Sequence, residues 1–287
     1  MRNVTVRQLA ETDIGFAHEM TFVEQWNDRL EDIRRMFDFE PAGCFIAEVD
    51  KKPVGHVFAI RYGKLGWIGL LIIKAEYRRM GIGRLLMEKA RGCLLECGAE
   101  TVKLEAVPEI SGLYRELGFE DEYDSLRFKG INENLPVQSS GLIELMTERD
   151  LEELAKFDAR FFGADRIRVL AQLFQEYPQF CFVARSGSRI AGYVMRRKAL
   201  VGYKLGPWVC DPDKPNVAKQ LLVHCLRELE PRSEVFVGVP SVNTSAVRIL
   251  EQLGFAKYSR SIRMRYGEPL KNECVRGIFV IGGPMKG

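Results

Sequence analysis

Six consecutive residues, Arg78-Arg79-Met80-Gly81-Ile82-Gly83, carry the densest chemical signal in the chain. Glycines at alternate positions let a turn close tightly and let main-chain N–H groups approach a ligand with no Cβ in the way. The flanks decide what such a turn can do. Before it, Ile68 to Ile73 is a continuous apolar run, too short for a bilayer and bounded by Gly66, which reads as a buried strand. After it, Leu85, Leu86, Lys89 and Ala90 keep a helical spacing. A strand, a glycine turn and a helix start together present unpaired N–H donors and the positive end of a helix dipole, which suits a phosphate. A P-loop is excluded, because no Gly-Lys-Ser/Thr follows a longer glycine-rich loop, and a dinucleotide fingerprint would need a small residue where Leu86 stands. Taken alone, the six residues also fit an ordinary helix-capping turn with a solvated arginine pair.

The wider frame narrows the reading. The turn has the form Arg-x-x-Gly-x-Gly and follows Leu71-x-Ile73; downstream stand the alternating TVKLEA of Thr101 to Ala106 and Gly112-Leu113-Tyr114-Arg115-Glu116-Leu117-Gly118-Phe119. Upstream, Cys44-Phe45-Ile46-Ala47-Glu48 and Pro53-Val54-Gly55-His56-Val57 have the pattern of a hairpin. In order and spacing these resemble the hairpin, motif A and motif B of the GNAT superfamily of acetyl-CoA-dependent N-acetyltransferases, over about residues 4 to 128. The resemblance implies that backbone groups of Leu71 and Ile73 pair with the pantetheine arm of acetyl-CoA. It implies also that N–H groups from Arg79 to Arg84, with Gly81, Ile82 and Gly83 among them, cradle the pyrophosphate, and that Arg78 and its neighbours add charge. No metal is implied.

An amine must be neutral to attack a thioester. For an amine of pKa about 10.4, deprotonation at neutral pH costs about 4.6 kcal/mol unless a base shares it. The family often places an acidic group where Glu105 stands; a solvated strand-end carboxylate is an equal reading, and Glu109 is a second candidate. Tyr114 falls where a tyrosine commonly faces the coenzyme sulfur, and a phenol there would protonate the leaving thiolate. Motif B usually carries an Asn about seven residues earlier, where this chain has Val107-Pro108. For the acceptor the resemblance points to Trp26 and Asn27, between the first two helices. The equivalent place in the later half is Phe162 to Arg166, where Asp165 is also readable as a helix N-cap; Tyr193, Arg196 and Arg197, which follow the second hairpin, read either as facing a cleft between the domains or as a face of solvated arginines.

The elements expected around these residues are a strand from Val4 to Leu9, a helix from Thr12-Asp13 to about Val23, and a second from Asn27 to about Phe37. Then come the hairpin, the strands and helices of the two motifs, and a strand near Leu126 to Lys129. Asn132 to Gly141 is polar and aperiodic and reads as a linker. Beyond it the chain repeats itself. Gly118-Phe119 returns as Gly254-Phe255 and Leu85-Leu86 as Leu221-Leu222, both 136 residues on; Cys44-Phe45-Ile46-Ala47 returns as Cys181-Phe182-Val183-Ala184, 137 on. The expected organisation is therefore an α/β (α+β) chain of two tandem GNAT-like domains, each a mixed, mostly antiparallel sheet flanked by helices. The first spans 1–131, the linker 132–141, and the second 142–287. In the second copy Lys214, Pro215, Val217 and Lys219 stand where the first has Arg78, Arg79, Gly81 and Gly83, so only the first is expected to bind acetyl-CoA.

Composition sets the outer limits. The 287 residues suit two cores, and 46% hydrophobic with 28% charged residues is an ordinary globular mixture. A net charge of +3 with interspersed signs argues against nucleic acid. No segment approaches a membrane span, the first residues lack the apolar core of a signal peptide, and a cytoplasmic location follows by default. Seven scattered cysteines read as reduced core residues. The expected partner is a small-molecule or peptide amine, and a homodimer stays open. A longer acyl donor, or a non-catalytic acyl-CoA sensor, is the alternative function.

Overall fold

The computed structural model describes residues 3–133, 135–136 and 143–287. Strands β1 (Val4–Gln8), β2 (Phe45–Val49), β3 (Lys52–Tyr62), β4 (Leu65–Ile73), β5 (Thr101–Ala106) and β6 (Glu120–Ile131) alternate with helices α1 (Ile14–Val23), α2 (Leu30–Phe39), α3 (Ile82–Glu96) and α4 (Ser111–Glu116). The same succession returns as β7 (Ile143–Leu145), α5 (Leu151–Phe162), α6 (Ile167–Glu176), β8 (Cys181–Ser186), β9 (Arg189–Lys198), β10 (Tyr203–Cys210), α7 (Pro215–Arg227), β11 (Glu234–Pro240), α8 (Thr244–Gln252) and β12 (Ala256–Gly267). A further short strand, β13 (Ile278–Val280), closes the series.

The chain divides into two compact units whose membership crosses the boundaries expected from sequence. The first comprises residues up to Glu122 together with Arg263–Pro269 and Pro284–Lys286; the second comprises Tyr123–Ile262, Leu270–Gly283 and Gly287. Of the expected linker, residues 134 and 137–141 lie outside the described residues. Its first residue is no linker: Asn132 is buried, and its amide bonds to the carbonyls of Leu226, Leu229 and Glu230 in the second unit.

In the first unit the strand order is β1-β2-β3-β4-β5, followed by the Arg263–Gly267 end of β12. All pairs from β1 to β4 are antiparallel, and β4 and β5 run parallel. The β2–β3 turn places Asp50 and Lys51 at φ 51° and 63°, the primed-turn geometry that matches strand twist. Helix α3 lays Ile82, Leu86, Met87, Ala90 and Leu94 on one buried stripe. It approaches β4 so closely that a Cβ on Gly66 would stand 2.8 Å from Leu94 Cδ1. On the other face Trp67 is fully buried, its indole N–H donating to Pro284 O at 3.0 Å.

The second unit has the order β7-β8-β9-β10-β11-β6, with β13 added to β10. The pairs β10–β11 and β4–β5 are the parallel pairs of their respective units. Thus each unit repeats the other's scheme, as the recurrence in the sequence implies.

Candidate functional site

The glycine turn is a cradle of main-chain donors. Arg78 N–H closes a short turn onto Ala75 O, and the next main-chain bond is Leu85 N–H to Gly81 O at 3.1 Å. Among the described residues, the six N–H groups from Arg79 to Arg84 meet no acceptor. Gly81, the residue before α3, has φ 79°, and a Cβ there would meet nothing within 4 Å. Its need for glycine comes from backbone conformation and not from space. Arg79 also holds a positive φ, 62°, so the turn stores strain at a residue with a side chain. Gly83 is different: its missing Cβ would point inward, 3.7 Å from Leu113 Cδ2 and 4.0 Å from Ile73 Cγ1.

Strand β4 supplies the second half of the site. It pairs with β5 only from Leu65 to Ile68, and from Gly69 the two strands part. Leu70 sits at φ 52° in a register shift against β3, a bulge at the fork. Beyond it, Lys74 N–H donates to Val54 O of the β3 side while Ile73 O accepts from Arg78 Nε at 2.9 Å. Alternation along an antiparallel strand then turns the polar groups of Leu71 and Ile73 away from β3, toward the gap left by β5. Arg78, expected at a phosphate, thus folds back on the strand end and pairs with Glu24, at the end of α1. Glu24 belongs to the corner carrying Trp26 and Asn27, half-buried between α1 and α2, with Gln25 and Asn27 at φ 58° and 53°.

Helix α4 packs on the first turn of α3 through Leu113 against Gly83 and an Arg84–Glu116 ion pair. Its Tyr114 is buried with the ring edge-on to Phe119, and burial raises the phenol pKa above its ordinary value. Among the described residues the Tyr114 hydroxyl makes no hydrogen bond, so the one polar atom of a buried side chain is left for something else.

Glu105 is neither of the things its position suggested. Its carboxylate pairs with Arg263 at 2.7 Å, both side chains almost wholly buried, and the Arg263 guanidinium stacks 4.4 Å from the centroid of Trp67. A carboxylate fixed in that way is a structural partner and not a free base. Exposed Glu109 lies at the start of the turn into α4. Two residues of the second copy also depart from expectation, and a third, Asp165, follows its helix-start reading. Tyr193 is buried and donates to Asp158 Oδ1 at 2.5 Å, within an Asp158–Arg166 pair. Arg196 is buried over Phe180 and donates to the carbonyls of Cys225 and Glu228. Asp165 accepts from Ile167 N–H at 2.8 Å and serves the start of α6. Tyr193 and Arg196 are buried on partners of their own and form no solvated face.

Among the described residues no group of three or more His, Cys, Asp or Glu could hold a metal ion, and no helix is long and apolar enough to cross a membrane. All seven cysteines are free.

Comparison with known proteins agrees with this geometry. The model of the acetyltransferase (GNAT) family matches residues 12–119, and that of an acetyltransferase (GNAT) domain matches residues 154–277. The chain belongs to the GNAT acetyltransferases, in tandem form. It is 26% identical over 257 residues to the holothin acyltransferase of Pseudoalteromonas sp. (strain SANK 73390), covering 89% of this chain and 85% of that one. A crystal structure of a candidate acetyltransferase from Pyrococcus horikoshii superposes with a TM-score of 0.81 at 25% identity, over 100% of this chain and 97% of the other. A tandem GNAT protein from the clavulanic acid biosynthesis pathway shares the fold, with a TM-score of 0.65 at 15% identity, over 92% and 98%.

The two GNAT copies differ at every element of the site. Strands β10 and β11 also part, after Lys204, but the gap is taken by the chain itself. Strand β13 pairs with β10 at Trp208 and Val209, and Ile281 N–H donates to Gly238 O of β11 at 2.9 Å. Val209, the counterpart of Ile73, is therefore already paired. Helix α7 starts at Pro215, one turn earlier than α3 in the repeat register, so residues aligned with the glycine turn are helical. Lys214 N–H goes to Asp211 O, and Val217 and Ala218 N–H go to Lys214 O. Asn243, at the motif B asparagine position, caps α8 through Ala246 N–H and donates to the carbonyls of Arg276 and Ile278. Sequence reading finds the substitutions at the turn; the strand that fills the slot has no local signature at β10.

Proposed function

We propose that this GNAT protein is an acetyl-CoA-dependent N-acetyltransferase, moving an acetyl group to a primary amine by direct attack, with the coenzyme held by the first unit alone. One observation carries the reading: six N–H groups from Arg79 to Arg84, unpaired among the described residues, stand next to a strand edge, Leu71 and Ile73, that has parted from β5. The donors match a diphosphate, and the edge matches an amide-bearing arm that can add as a strand. When bound, the coenzyme supplies an acyl group activated as a thioester. The chain's part is to hold, orient and protonate. Helix α3 offers its dipole to the diphosphate, and Arg79 and Arg84 add charge. The buried Tyr114 hydroxyl, kept protonated at neutral pH, is the donor for the departing thiolate.

The acceptor enters beside the α1–α2 corner, at Trp26 and Asn27. With Glu105 held by Arg263, exposed Glu109 is the carboxylate of the β5–α4 connection left to draw a proton from the amine. The acceptor is a small-molecule or peptide amine in the cytoplasm, with no nucleic acid or membrane involved. Self-association into a homodimer fits the same reading and is read by sedimentation. Isothermal calorimetry of the full chain with coenzyme A, followed by an amine screen with thiol release as readout, tests the proposal. Absence of coenzyme A binding overturns it. Binding without turnover on any amine, indifferent to Tyr114→Phe, would make the protein an acyl-CoA sensor instead.

A further inference from the structure

The first unit includes three residues, Pro284–Lys286, that begin four positions after the end of β13, the strand filling the second copy's slot. They lie across the face of β3 and β4 at the fork. Trp67 Nε1–H donates to Pro284 O at 3.0 Å, and Tyr62 O–H donates to Lys286 O at 2.9 Å. Met285 is buried between these two anchors. The fit over Gly69 is tight: a Cβ built there would stand 2.6 Å from Met285 Cα and 2.9 Å from Met285 O. Gly69 is the first residue of β4 past the last β4–β5 pair, next to the bulge at Leu70. An acyl group carried into the fork along the edge of Leu71 and Ile73 therefore arrives against this segment.

Resting on the proposed cofactor reading, we infer that Pro284–Lys286 is the end wall of the acyl site and restricts the donor to a short acyl group. The segment is pinned at both ends by aromatic donors, and the strand beneath it is bare because no side chain fits. Space for additional methylenes on this face has to come from Met285. A hydrophobic site that excludes a methylene discriminates by about tenfold or more, and an opened one gains about fourfold for each methylene it admits. The wall is thus part of the first unit, although it comes from a distant stretch of the sequence.

The test compares acetyl-, propionyl- and butyryl-CoA as donors to one accepted amine, using the full chain and the variants Met285→Gly and Met285→Ala. Coenzyme A affinity is measured in parallel by calorimetry. The wall predicts that kcat/KM for butyryl relative to acetyl rises about tenfold or more in Met285→Gly and by less in Met285→Ala, with coenzyme A affinity held within about twofold. An unchanged donor ratio in a folded variant that still binds coenzyme A overturns the wall and leaves the cofactor reading standing. Failure of the unmodified protein to bind coenzyme A overturns both. If Met285→Gly fails to fold, Met285→Ala decides, since it keeps the backbone and removes only the side chain beyond Cβ.

Discussion

Replacing the two glycines of the turn by alanine separates backbone conformation from space, because the structure gives them opposite reasons to be glycine. At Gly81, φ is 79° and a Cβ meets nothing, so Gly81→Ala pays only for holding an L-residue left-handed, about 1–2 kcal/mol. At Gly83, inside α3, a Cβ makes ordinary contact with Leu113, and alanine is favoured over glycine in a helix by up to about 1 kcal/mol. Calorimetry with coenzyme A and urea unfolding read the two places where the Gly81→Ala strain can fall. If the turn keeps its shape without ligand, stability drops by the whole amount; if it relaxes, coenzyme A binds about 5- to 30-fold more weakly. The two losses together come to about 1–2 kcal/mol. Gly83→Ala leaves affinity within about threefold and leaves stability equal or higher. A Gly83→Ala protein that binds coenzyme A about tenfold or more weakly than the unmodified protein would refute the cradle, since it would mean that ligand contacts lie on the inward side of α3.

Further outcomes follow from the buried groups. Tyr114→Phe lowers turnover by about a hundredfold with coenzyme A affinity retained. Because burial raises the Tyr114 pKa above its unfolded value, its contribution to stability is complete below about pH 10 and is lost as pH rises beyond that, an alkaline limb that Tyr114→Phe removes from an unfolding-versus-pH series. His56, fully buried between Phe16 and Phe58, has its pKa lowered by burial to about 4 from 6.5. Its neutral form is the one that folds, so the protein is at full stability above about pH 6.5 and loses up to about 3 kcal/mol as pH falls through 4; His56→Leu flattens that loss in urea titrations. Glu105→Gln strands a buried guanidinium and costs about 3–5 kcal/mol, a fall of roughly 10 °C in Tm, while the pH profile of the rate in the folded protein is unchanged. A shifted pH profile with Tm intact would restore Glu105 as the base. A fragment ending at residue 131 lacks Arg263 and Pro284, so its Trp67 is exposed and its fluorescence is red-shifted relative to the full chain.

The sequence by itself determined the parts whose causes are local. Periodicity and turn chemistry located the strand before the glycine turn, and Thr101–Ala106 is a strand to the residue. The two-fold recurrence fixed two copies of one scheme, and proline and bulky residues at the second turn showed that its cradle is lost. The tertiary structure alone decided what depends on residues far apart in the chain. Glu105 looks like a free strand-end carboxylate until Arg263, 158 residues away, is brought onto it. Tyr193 and Arg196 look like cleft residues until Asp158 and the Cys225 carbonyl are seen beside them. Unit membership is of the same kind, since strands accept any partner that presents matching N–H and C=O groups, and no local pattern records that Arg263–Pro269 and Pro284–Lys286 complete the first unit. A slot between diverging strands is filled or open according to what else pairs with its edge, which is why one copy keeps its slot and the other closes it with β13.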